Sequence, residues 1–313
     1  MFAYVVRRLF ATIAVMAVVA FVVFSLLYFT PGDPAAVLAG DAATSDDIAR
    51  IREKLGLDQP FFVRFGAWAW ALAHGDLGTS IFTNLPVTQL IGQRIEPTLS
   101  LTLCTLLLSV AVAVPLGVVA AARAGSWVDR LVMAFSVLGF SVPVFVLAYG
   151  LILTFSIQLD WLPVQGYRNI GEGLWPWLRH LILPSVALGT VYIALIARIT
   201  RASMLDVLAQ DYIRTAQAKG LAPAGVVVGH ALKNAAVPIM TIVGIGIALL
   251  IGGAIVTETV FAIPGVGRLT VDAILRRDYP IIQGVILMFS GAYVLINLAV
   301  DLSYMLLDPR IRY

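Results

Sequence analysis

The sequence predicts an all-α membrane protein of six transmembrane helices, and three observations carry that prediction. Of 313 residues, 60% are hydrophobic and only 12% charged, with a mean hydropathy of +0.94. Length alone would suggest two or three soluble domains, but so few charges cannot cover globules of that size. Uncharged runs recur at the length a helix needs, about 20 residues, to cross a bilayer core roughly 30 Å thick. These runs do not alternate apolar with polar residues, as the strands of a β-barrel would.

The expected spans are about 9–32, 97–122, 131–159, 181–200, 234–257 and 279–301. The uncharged heart of the fourth, 181–197, is the shortest and needs its flanks or little tilt. The first follows Arg7-Arg8, which suits a signal peptide, yet its apolar run well exceeds the 7–15 residues of an h-region. It reads as an uncleaved first helix. Cys104, the single cysteine, lies mid-span and reads as a buried, inert thiol.

An even number of spans puts both termini on one side. That side carries Arg7, Arg8, Arg123, Arg130, Arg198, Arg201, Arg214, Lys219, Lys233, Arg310 and Arg312, against Arg168, Arg179, Arg268, Arg276 and Arg277 opposite. Positive charge marks the cytoplasmic face, so both termini and the loop 198–233 are expected there. The pI near 9.1 reflects this asymmetry, and no nucleic-acid partner is needed to explain it. Asp301, at the end of the last span, is expected to pair with Arg310 or Arg312.

The segment 33–96 is expected outside the cell membrane. It opens turn-like with "TPGDP" from residue 30, then "SDDIARIREKLG" offers a short amphipathic helix, capped by Ser45 and stopped by Gly56. "FFVRFGAWAWALA" follows, an aromatic stretch suited to the outer leaflet surface or to a protein contact. In the segment 258–280, Pro264, Gly265 and Gly267 break the chain, and a short helix is expected from Leu269. The turn at 123–130 is brief.

The loop 198–233 is the largest on the inner side. Met204, Leu208, Tyr212 and Ala216 recur every fourth residue, with Leu205 and Ile213 flanking the same stripe, which predicts one amphipathic helix. Gly220 supplies a stop, and Pro223 fits the first turn of a second helix running toward Pro238. Small Thr215 and Ala216 with basic Arg214 and Lys219 suit a docking knob for a partner's carboxylates. An amphipathic helix on anionic lipid fits the same residues.

This loop resembles the EAA loop of ABC importer permeases, in the dipeptide/oligopeptide/nickel (glutathione) branch. The general pattern is Glu-Ala-Ala, three residues, then Gly. This chain offers Arg214-Thr215-Ala216, three residues, then Gly220, with Arg in the Glu position, and "AAVP" at 235–238 where the pattern ends Leu-Pro. The resemblance extends along nearly the whole chain, through "YVVRRLF", "LGLDQP", "GDLGTS", "ETVFAIPGVGRL", "RDYPIIQG" and the C-terminal "LINLAVDLSYMLLDPRIRY".

The resemblance implies a type I ABC importer permease fold in a bacterial inner membrane. It implies a second, similar permease, two cytoplasmic ATPases carrying ATP and Mg, and an extracytoplasmic substrate-binding protein. Asp211, Tyr212, Arg214, Thr215, Ala216, Lys219 and Gly220 match the positions that seat such a coupling helix in an ATPase groove. Pro264, Gly265, Arg268, Arg276 and Arg277 are candidates for contact with the binding protein, and a purely structural turn is the alternative for the first two. Peptides are the expected cargo, with glutathione, nickel chelates or haem as alternatives in the same branch.

Two other classes compete. The chain has no G-x-x-x-x-G-K-[ST] phosphate loop, so it is expected to bind no cofactor and to hydrolyse nothing itself. His74, His180 and His230 form no H-E-x-x-H pair, and Ser141 has no nearby base, which disfavours an intramembrane enzyme. A secondary transporter needs ionisable groups in the membrane for ion coupling, and the central runs are uncharged. Ser141, Thr241, Gln283 and Asn297 are the polar residues that can line a substrate path, with interhelical hydrogen bonding as their simpler role. Gly244, Gly246, Gly252 and Gly253 permit close helix approach.

Overall fold

The computed structural model describes residues 2–29, 35–36, 44–54 and 56–307. Residues 30–34, Arg310 and Arg312, and with them the expected pairing of Asp301, lie outside the described residues, as do the side chains of Arg7 and Arg8. The described chain is helical. It runs α1 (Phe2–Phe29), α2 (Ser45–Lys54), α3 (Phe61–Ala73), α4 (Val87–Ala122), α5 (Trp127–Ser141), α6 (Val144–Leu151), α7 (Leu174–Leu208), α8 (Asp211–Ala218), α9 (Lys233–Val260), α10 (Val266–Arg276) and α11 (Tyr279–Leu307). A π-helical segment, Ile152–Gln158, extends α6, and a second, Gly225–Leu232, leads into α9.

Among the described residues, four helices are long and apolar enough to cross a membrane: Val87–Ala122, Leu174–Leu208, Gly225–Val260 and Tyr279–Val300. A fifth crossing exists if α5 and α6 with its π extension form one span, and they meet at 102°. The 131–159 run is therefore an elbow, not a rod. Val142 is extended because the residue before a proline is pushed out of the helical region, and Pro143 caps α6. In α1 the described apolar stretch is Ala11–Leu26. Pro97, Pro115, Pro184 and Pro238 lie inside long helices without ending them, as neighbouring helices permit in membranes.

The chain divides into two compact units, Met1–Ile95 with Leu269–Val294, and Glu96–Arg268 with Leu295–Tyr313. In the first, the aromatic stretch forms α3 and clamps α1: Phe24 lies 5.4 Å from Phe65 and 5.2 Å from Trp68, ring centre to ring centre. The opposite side of α3 leaves Phe62 and Trp70 exposed. Helix α2 begins at Ser45 itself, so Ser45 is its first residue and not its cap, and Gly56 (φ +62°) ends it. Buried Asp278 accepts hydrogen bonds from the Ser80 hydroxyl (2.6 Å) and the Ile81 N–H (3.3 Å), tying the 76–86 loop to the segment before α11.

The second unit is built around α7. Two-thirds (67%) of its apolar window is buried, against 33% for Gly225–Val260. Leu181, Leu188, Ile196 and Met204 lie at its core with Leu101 of α4 and Leu250 of α9. Close approaches use small residues: a Cβ on Gly117 would stand 2.6 Å from Thr200 Cβ and 2.7 Å from the Ala197 carbonyl oxygen. Gly253 likewise abuts Leu188 and Gly244 abuts Val300, whereas Gly252 has open space.

Candidate functional site

The helix expected to run unbroken through Met204–Ala216, ahead of Gly220, is two. α7 runs to Leu208, the chain turns at Ala209–Gln210, and α8 starts at Asp211. A four-residue repeat cannot register such a break, and it misplaces one residue: Tyr212 is exposed, while Ile213 and Ala216 are buried. Ile213, Ala216, Met204, Val226 and Ala231 belong to one apolar cluster; α8 packs on the π segment and is joined to the end of α7 by a two-residue turn. Ala216 thus faces its own protein and is not available to a partner.

The outward side of α8 displays Asp211, Tyr212, Arg214, Thr215 and Lys219. Arg214 lies 3.5 Å from Asp211, both side chains well exposed, a contact worth little in water. The Thr215 hydroxyl donates to the Asp211 carbonyl (3.1 Å). Gly220 follows at φ +81°, where a left-handed turn favours glycine, and its N–H reaches the Gln217 carbonyl (2.9 Å). Nothing lies within 4 Å of where its Cβ would be. The result is a short polar ridge on an apolar footing, ended sharply.

The residues expected in a substrate path are placed individually. Ser141 is exposed and donates to the Val137 carbonyl (2.9 Å), and Thr241 donates to the Val237 carbonyl (2.8 Å), each one turn back in its own helix. Asn297 is half-buried, in the second unit. Gln283 is buried, in the first.

Around the 258–268 turn the structure shows a group that the sequence analysis did not single out. Glu258 is fully buried. Its carboxylate accepts from the Thr98 hydroxyl (2.6 Å) and the Arg268 N–H (2.9 Å), and the Thr98 oxygen accepts the Val266 N–H (2.8 Å). Gly265 and Gly267 close over it; a Cβ on Gly265 would overlap the carboxyl group itself, and one on Gly267 would stand 2.7 Å from Ile255 Cα. Pro264 is exposed on the outside of this knot and Gly265 buried within it. Arg268 is half-buried; Arg276 and Arg277, in the first unit, are exposed. A glutamate followed seven and nine residues later by glycines was the available signal.

A second knot ties the 159–173 segment to α4. Glu96 accepts from the Tyr167 hydroxyl (3.1 Å) and the Ile170 N–H (3.2 Å), and the Trp177 indole donates to Ser100 (3.2 Å), which bonds Tyr167 (3.0 Å). Burial pushes the Tyr167 phenol above its ordinary range, with the neighbouring Glu96 carboxylate adding to the rise.

Residues 113–313 match the family model described as "Binding-protein-dependent transport system inner membrane component", and residues 1–102 match the N-terminal model of the same system. The chain belongs to this family of transport permeases. It is 58% identical over 310 residues to a probable peptide ABC transporter permease of Sinorhizobium fredii, covering 99% of each chain. A dipeptide transport permease of Alkalihalophilus pseudofirmus is 42% identical over 333 residues with all of both chains covered. A glutathione transport permease of Salmonella typhimurium is 43% identical over 310 residues, covering 99% of each. In structure the permease resembles a chain of the inward-facing MetNI methionine ABC transporter, with a TM-score of 0.59 at 19% identity, over 71% of this chain and 97% of that one. At that identity the likeness shows the fold alone, an all-helical one shared with that transporter chain.

Proposed function

We propose that this chain is the membrane-spanning subunit of an ATP-driven importer of di- or oligopeptides handed over by an extracytoplasmic binding protein. It works with a second permease and two ATPases, which hold ATP and Mg. Its six spans include α1 and the α5–α6 elbow, and both termini face the cytoplasm. The segment 33–96 lies outside, and the exposed ridge of α8 with the Gly220 turn, at 211–221, seats in an ATPase.

The observation that carries this reading is the construction of α8. A helix of eight residues is too short to be stable alone. It is held by Ile213 and Ala216 on the core while Asp211, Tyr212, Arg214, Thr215 and Lys219 stay exposed. A lipid-bound helix would bury its apolar side in the bilayer; here that side is spent on the protein. What remains to meet a partner is polar and basic, and force applied to it passes directly to α7 and the π segment.

Substrate class rests on the relatives, whose names cover peptides, dipeptides and glutathione. The test is ATP hydrolysis by the complete importer in lipid vesicles, with and without binding protein and with a dipeptide or glutathione. Stimulated hydrolysis that collapses in Arg214→Glu/Gly220→Pro, with assembly intact, is the expected result. Uptake that follows an ion gradient with no ATPase attached overturns it.

A further inference from the structure

We propose that Asp129 and Arg201 form a positioning pair that makes the inner end of α5 move with the coupling helix α8, so that ATPase strokes reach the rest of the bundle. This rests on the importer reading above and adds a residue pair outside the 211–221 segment.

The observation is a bidentate ion pair in a chain that keeps few charges among its helices. Arg201 Nε bonds one Asp129 oxygen, and its Nη2 bonds the other at 2.7 Å. The Asp129 side chain is 5% exposed and that of Arg201 25%. The same carboxylate accepts the Gly125 N–H (2.9 Å), and the Asp129 N–H meets the Ser126 hydroxyl that caps α5 (3.4 Å). The Asp129 side chain therefore ties the 123–126 turn to the last third of α7, and its backbone N–H, on the Ser126 cap, anchors it in the first turn of α5.

Arg201 stands seven residues before α7 ends at Leu208, and α8 begins three residues after that. Met204, one turn beyond Arg201, is fully buried in the cluster that receives Ile213 and Ala216. The route from ridge to elbow is thus short: α8 through the Ala209–Gln210 turn to α7, along α7 to Arg201, across the ion pair to α5, and along α5 to the Pro143 break. Above the pair, α5 meets α7 at Gly139, where a Cβ would stand 3.0 Å from Ala194 Cβ. The Thr190 carbonyl oxygen lies 3.3 Å from the same point; to this packing the two-pronged guanidinium–carboxylate pair adds a contact that fixes both distance and angle.

Stability alone is a poor account of the pair. Buried ion pairs return little more than their desolvation cost, and an apolar pair of similar volume often serves as well. Fixed geometry is what such a pair supplies and an apolar contact does not.

The test compares Arg201→Lys, Asp129→Asn and the double variant D129N/R201Q with the unmodified importer, complete with ATPases and binding protein, in vesicles. Three quantities are read: assembly, stimulated ATP hydrolysis, and substrate imported per ATP. Arg201→Lys keeps the charge and loses the fork; we expect normal assembly with import per ATP reduced several-fold. The double variant removes both charges and leaves none stranded. It should assemble as the unmodified chain does, yet import per ATP should fall about tenfold. If the double variant recovers import per ATP along with assembly, the pair is structural only and the proposal fails. It fails equally if Arg201→Lys couples normally. Should the unmodified importer itself show no stimulated hydrolysis, the importer reading fails instead, and the two failures are distinct.

Discussion

Replacing Gly265 with alanine tests the Glu258 knot directly. The new methyl would overlap the Glu258 carboxyl group, which is fully buried and held by Thr98 and the Arg268 N–H. Over-packing a well-filled site costs about 1–3 kcal/mol. Pushing the carboxyl off a hydrogen-bond partner leaves a buried group unsatisfied for about another 1–3 kcal/mol. Gly265→Ala should therefore destabilise by roughly 2–6 kcal/mol, read as a lowered unfolding temperature of the assembled permease in lipid nanodiscs. The decisive measurement is the cycle with Glu258→Ala. With the carboxyl gone, the methyl has room, and adding Gly265→Ala to Glu258→Ala should cost under about 1 kcal/mol, a strong coupling for residues in contact. The reasoning is refuted if Gly265→Ala costs the same in both backgrounds, or if it is neutral alone.

Two further outcomes follow from positions described above. Gly220→Ala meets no atom within 4 Å, so its cost is backbone strain alone, about 1–2 kcal/mol at φ +81°; Gly220→Asn, which tolerates that region, should cost less, and thermal unfolding of the pair of variants checks the order. Ser80→Ala removes the hydroxyl donor to buried Asp278, which should loosen the 76–86 loop by about 1–3 kcal/mol and speed its cleavage in limited proteolysis.

What could be seen in the sequence was what is local. Gly220 and Gly56 ended helices where their surroundings said they should, because a left-handed turn is encoded within a few residues. The amphipathic character of α8 was equally local. The ties that hold the fold were not legible: Thr98 meets Glu258 across 160 positions, Asp129 meets Arg201 across 72, and Ser80 meets Asp278 across 198. Each carboxylate looks, in the sequence, like a charge at the end of an apolar run. Periodicity also misled at one place. The repeat through Met204, Leu208, Tyr212 and Ala216 continues across Ala209–Gln210, where the helix does not, and so it centred the apolar stripe on Tyr212, with Ile213 at its flank, whereas Ile213 is buried and Tyr212 exposed.

The elbow between α5 and α6 has a further consequence. Proline has no N–H, so Pro143 cannot answer the carbonyl of Gly139, and the turn of backbone around it is left with polar atoms that no helix satisfies. Hydrocarbon cannot answer them either. Wherever this bend comes to rest in the bilayer, oil cannot be its only neighbour. A run of sequence that hydropathy scores as among the most lipid-loving in the chain therefore contains, at Val142–Pro143, a point that must be wetted by solvent or sheltered by protein.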